Sequence, residues 1–115
     1  MTMAAYGGGT MTAENERTAV LVIRAWTEPL VQFRAALRDA GVTVRITRVD
    51  IEPALNAALA RSSYDVVVWD PRCSIARDIV ETRLREHGRS ATIVVMEELG
   101  VTVTNIVHTL TARFN

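Results

Sequence analysis

Residues 64–71 read Tyr64-Asp65-Val66-Val67-Val68-Trp69-Asp70-Pro71. Three successive β-branched valines stiffen the chain in the extended conformation, and Pro71 stops it. The run is apolar without alternation, which predicts a central strand covered on both faces. On its C-terminal side, Pro71-Arg72-Cys73-Ser74 reads as a loop. Ser74 is the expected N-cap of a helix over residues 75–87, and Gly88 its stop. Arg77 with Glu81, and Glu81 with Arg85, stand four apart on that helix and can pair across its exposed face.

The same strand-then-helix grammar runs outward in both directions. Upstream, Ala19-Val20-Leu21-Val22-Ile23 is a second continuous apolar strand. Thr27-Glu28-Pro29 opens a helix whose buried stripe is Leu30, Phe33, Leu37 and Ala40, with Gly41 as its stop. Val42, Val44 and Ile46 then alternate with Thr43, Arg45 and Thr47, as in a half-buried edge strand. Asp50-Ile51-Glu52-Pro53 opens the next helix, which buries Leu55, Ala58 and Leu59 and breaks at Ser62-Ser63. Downstream, Thr92-Ile93-Val94-Val95-Met96 forms a fourth strand, followed by Glu97-Glu98. Val103, Ile106, Val107 and Leu110 stand at i, i+3, i+4 and i+7 and predict a last helix, although residues 101–104 also fit a strand.

Four strands alternating with four helices predict an α/β fold, a three-layer sandwich around a parallel sheet built by right-handed crossovers. The continuous strands belong at the centre and the alternating one at an edge, so the expected order is 2-1-3-4. This is a flavodoxin-like arrangement with its fifth strand missing. Residues 18–115 form the expected domain. Residues 1–17, with Gly7-Gly8-Gly9 and no apolar periodicity, read as a flexible leader. No strand precedes the glycine triplet, so it is not a phosphate loop.

By that rhythm and the Tyr64–Pro71 run, residues 18–115 resemble the receiver domain of bacterial response regulators. The resemblance implies that Asp70 stands where receivers carry the phosphate-accepting aspartate. It also implies where the chain departs. Receivers follow the first strand with an acidic pair that holds a divalent cation; here Arg24-Ala25-Trp26 occupies that place, and the nearest acid is Glu28. Receivers end the fourth strand with Ser or Thr; here that place falls on Met96 or Glu97. Receivers carry a lysine at the end of the fifth strand, and this chain has none.

Composition sharpens that last point. The 115 residues, 12.7 kDa, suffice for one domain. All thirteen basic residues are arginine, balanced by thirteen acids. The absence of lysine excludes Schiff-base, P-loop and lysine-base chemistry. Arginine, with its broad planar fork, is no ready substitute for a compact ammonium. Zero net charge argues against a nucleic-acid partner. Cys73 is the single cysteine, so no intrachain disulfide forms and a reducing, cytoplasmic setting is the expectation. No apolar run approaches the ~20 residues of a membrane span.

The expected site is the carboxyl-terminal edge of the sheet, at Arg24, Trp26, Glu28, Asp70 and Glu97. Arg24 is positioned to pair with Asp70 and keep it charged without a metal. No metal or cofactor is expected, and no catalytic residue. Cys73 precedes a helix start, where a thiol pKa can fall, but it has no resolving partner. His87 at a helix end and His108 in the last helix complete no enzyme site. The resulting expectation is a non-catalytic, receiver-like signalling domain that works by protein–protein contact with a signalling partner or a fused output or kinase domain. A homodimer or docking face is expected through the last strand–helix unit, at Val103, Ile106, Val107 and Leu110. The alternatives are an atypical phosphoacceptor using Asp70, Glu28 and Glu97, and a small ligand-binding α/β protein with its site at the same edge.

Overall fold

The computed structural model describes residues 18–24 and 30–113. The leader, the Thr27-Glu28-Pro29 helix start, Trp26 and Glu28 lie outside the described residues. The elements in chain order are β1 (Thr18–Ile23), α1 (Val31–Asp39), β2 (Val44–Val49), α2 (Glu52–Arg61), β3 (Val66–Trp69), α3 (Arg77–Glu86), β4 (Thr92–Val95) and α4 (Leu99–Arg113). The sheet is parallel throughout, in the order β2-β1-β3-β4. The architecture is therefore a flavodoxin-like three-layer α/β sandwich, as the strand chemistry predicts.

Successive side chains of β1 face opposite layers, and this splits the core in two. Ala19, Leu21 and Ile23 pack with Leu55 and Leu59 of α2, Val67 of β3, and Val80 and Leu84 of α3. Val20 and Val22 pack with Phe33 and Leu37 of α1, Val66 and Val68 of β3, and Val103, Ile106 and Leu110 of α4. Residues 20–23 and 66–68 are fully buried, which explains why both strands are apolar at each of these positions.

The helix ends follow from local chemistry. Gly41 (φ 89°) and Gly88 (φ 66°) take the left-handed region after α1 and α3. Each closes a Schellman motif. Gly41 N–H donates to Arg38 O and Val42 N–H to Leu37 O; Gly88 N–H donates to Arg85 O and Arg89 N–H to Leu84 O. Val42 thus belongs to the helix stop, and β2 runs from Val44 to Val49, two residues later than the alternation suggests.

The start of α3 also differs from expectation. Its N-cap is Ala76, not Ser74, and Ile75 is buried ahead of the helix. The Ile75 carbonyl accepts hydrogen bonds from Trp69 Nε1 (2.8 Å) and Cys73 Sγ (3.2 Å). Ser74 instead reaches back to the Asp50 carbonyl at 3.5 Å. Trp69 is half-buried and packs against the α2–α3 layer.

The last strand–helix unit corrects a larger expectation. Val103, Ile106 and Leu110 are buried and Val107 is half-buried, all packed on the sheet in the α1 layer. The stripe read as a docking face is the face that α4 buries. The residues of α4 that stay exposed include Leu99 and Val101, in its first turn. No helix among the described residues is long and apolar enough to cross a membrane.

Candidate functional site

β1 and β3 are neighbours in register, with Ile23 opposite Trp69. The ladder continues one step past both strands: Asp70 N–H donates to Ile23 O (3.0 Å), and Arg24 N–H donates to Val49 O (3.0 Å). Arg24 and Asp70 are therefore set side by side at the carboxyl-terminal edge of the two central strands. This is the point where the connections change from one face of the sheet to the other.

Asp70 is 1% exposed, and its carboxylate is met from two directions. Arg24 Nε lies 3.4 Å from Oδ2, with the Arg24 side chain only 12% exposed. Arg72 supplies the rest. Its backbone N–H donates to Oδ1 (2.9 Å), forming an Asx turn across Pro71. Its guanidinium donates from Nε to Oδ1 (3.2 Å) and from Nη2 to Oδ2 (3.2 Å), a bidentate fork. The Asp70 carbonyl accepts from Cys73 N–H (2.9 Å) and closes the turn. Burial alone would raise the Asp70 pKa, but the side-chain and backbone hydrogen bonds of Arg72, with the charges of Arg72 and Arg24, hold it below the usual carboxylate value. Asp70 is a charged carboxylate compensated by arginine.

The pairing of Arg24 with Asp70 follows from strand adjacency. Arg72 does not, and it is the residue that the sequence reading missed. Its signal was local: Asp-Pro-Arg after a strand allows the aspartate to accept from the amide two residues on, which delivers the Arg72 side chain to the same carboxylate.

Glu97 is exposed, one residue beyond Met96, whose N–H still donates to Trp69 O (2.8 Å). The Glu97 N–H donates to the buried Thr102 hydroxyl (2.8 Å), which fixes the turn from β4 into α4. Glu97 lines a hollow of about 620 Å³ with Arg24, Arg72, Leu30, Phe33 and Met96. The edge is thus concave. Among the described residues no group of three or more His, Cys, Asp or Glu is arranged to hold a metal ion. Cys73 lies four residues before α3 rather than at its first turn. His87 is the C-cap of α3, and His108 is exposed on α4.

Comparisons with models of known protein families, with curated protein sequences and with solved structures gave no match for this chain.

Proposed function

We propose that this chain is a degenerate, receiver-like domain that acts through protein–protein contact rather than through magnesium-dependent phosphorylation of Asp70. The observation that carries the reading is the Asp70 carboxylate with both its oxygens engaged by guanidinium groups. A carboxylate that attacks a phosphoryl group needs a free oxygen and a cation to neutralise the incoming charge. At the place where a receiver would put its acidic pair stands Arg24, whose charge repels a divalent cation. The fork of Arg72 covers the rest of the carboxylate. The partner in this reading is a signalling protein, or an output or kinase domain fused to this one.

The test is chemical. The full chain is incubated with magnesium and a small phosphodonor, and its intact mass is followed. The reading expects no gain of a phosphoryl group. A magnesium-dependent phosphoryl adduct on Asp70 contradicts it and supports the atypical phosphoacceptor.

A second reading has one observation in its favour. The hollow of about 620 Å³ beside Arg24, Arg72 and Glu97 falls within the size range of small-molecule sites and sits at the switch point of the sheet. A small ligand bound there would change the amide resonances of residues 30–33 and 96–99 in a saturable way.

A further inference from the structure

Two groups stand out among the described arginines. Arg24 and Arg72 hold Asp70; Arg77 pairs with Glu81; Arg83 pairs with Glu52 and Glu86; Arg89 donates to the Leu59 carbonyl and the Ser63 hydroxyl. The side chains of Arg34, Arg38 and Arg45 make no hydrogen bond or ion pair with any described residue, and all three residues are exposed. They are not scattered. Arg34 and Arg38 stand one turn apart on α1, and together with Arg45 of β2 they line one hollow of about 300 Å³. Its floor is Val42, Val44 and Ile46, and among the described residues no acid lines it. A chain of zero net charge thus concentrates three uncompensated cations around an apolar floor.

The position of this hollow matters as much as its charge. Arg45 and Ile46 are successive residues of a strand, so their side chains leave opposite faces of the sheet. A hollow lined by both reaches around the outer edge of β2. Among the described residues β2 pairs only with β1, on its inner side. An occupant of this hollow therefore meets three things together: strand-edge backbone groups, an apolar floor, and guanidinium forks suited to carboxylates.

We propose that the outer edge of β2, with Arg34, Arg38 and Arg45, is the docking site for an extended acidic segment of a partner protein. The segment adds as a strand beside β2, its carboxylates meet the three arginines, and an apolar side chain seats on Val42 and Ile46. The inference rests on the reading of this domain as a contact module, and it supplies the chemistry of the partner. The two fail separately. Phosphorylation of Asp70 would remove the contact-module reading and leave peptide binding at β2 as it is, whereas loss of binding at β2 leaves the arginine-held Asp70 unchanged.

The test uses the isotope-labelled full chain and a short peptide of alternating Glu and Val, with a Lys-for-Glu peptide and free citrate as controls. The expected result is saturable movement of the amide resonances of Val44–Val49 and of the Nε–H resonances of Arg34, Arg38 and Arg45, with the Glu peptide alone. Arg34→Glu and Arg45→Glu are each expected to weaken binding by roughly tenfold or more, with the remaining spectrum unchanged as evidence of an intact fold. Three outcomes overturn the proposal: no saturable binding, binding indifferent to both charge reversals, or the same shifts with citrate, which would mark a small-anion site rather than a strand-docking edge.

Discussion

Asp70 carries a negative charge at the carboxyl-terminal edge of the two central strands, and two arginines of very different exposure compensate it. Arg24 is 12% exposed and Arg72 63%. Removing Asp70 leaves Arg24 largely buried without its carboxylate, so Asp70→Ala is expected to cost about 3 kcal/mol. Arg72→Ala removes an exposed partner that water can partly replace, and about 1 kcal/mol is expected. Urea unfolding at neutral pH measures both. The acid response has a definite sign. The folded-state pKa of Asp70 is lowered, so the unfolded chain takes up the proton first as pH falls. The stability from the Asp70 carboxylate is fully present above its unfolded pKa of roughly 4. It is lost as pH drops through the lower folded value. The wild-type chain should therefore lose more stability below that pH than Asp70→Asn, in urea melts taken across the acid range. At this scale the sequence was half legible. Strand adjacency pointed to Arg24, because neighbouring parallel strands end together. Arg72 was hidden because its role depends on a turn within three residues, and turn geometry is not a periodic signal.

The elements show how far periodicity carries. The i, i+3, i+4, i+7 spacing of Val103, Ile106, Val107 and Leu110 correctly marked an amphipathic helix, but spacing alone does not say which surface the stripe meets. It meets the sheet. Ile106→Ala should thus act as a core truncation, costing about 3 kcal/mol and leaving the oligomeric state unchanged, as thermal melts and sedimentation would show. The opposite holds for Val31, which is 71% exposed: Val31→Ser should change stability by no more than about 0.5 kcal/mol. Helix stops are legible in the sequence because glycine has a local mechanism. At Gly41 a Cβ would meet no atom within 4 Å, so the cost of Gly41→Ala comes from backbone conformation alone. It is expected at about 1 kcal/mol, with the helix content by circular dichroism preserved. At the start of α3, Ser74 fits an N-cap by type, whereas the burial of Ile75 and its two hydrogen bonds hold the chain out of the helix until Ala76.

For the whole molecule, the strand order was legible because burial on both faces leaves a compositional trace. β1 and β3 contain only apolar residues over 19–23 and 66–69, while β2 carries Arg45, Thr47 and Arg48. Native-state hydrogen exchange should follow that order, with the slowest amides in Val20–Ile23 and Val66–Trp69 and faster exchange in β4. The layer assignment of α4 was not legible. Right-handed crossovers place α1 on one face and α2 and α3 on the other. A parallel strand added outside β4 would need its connecting helix on the α2–α3 face, yet α4 lies with α1. The α4 helix therefore covers the open end of the α1 layer, and its apolar stripe packs there. That leaves the sheet edges and the arginine-lined surface, rather than the α4 stripe, as the places where contact with another protein is expected.

Arginine compensates Asp70 in this structure. The most direct measurement is a magnesium titration of the isotope-labelled chain with beryllofluoride present, following the amide resonances of Arg24, Asp70 and Arg72. No saturable, magnesium-dependent shift is expected at these three residues. A saturable shift centred on Asp70, with release of the Arg72 fork, would contradict it.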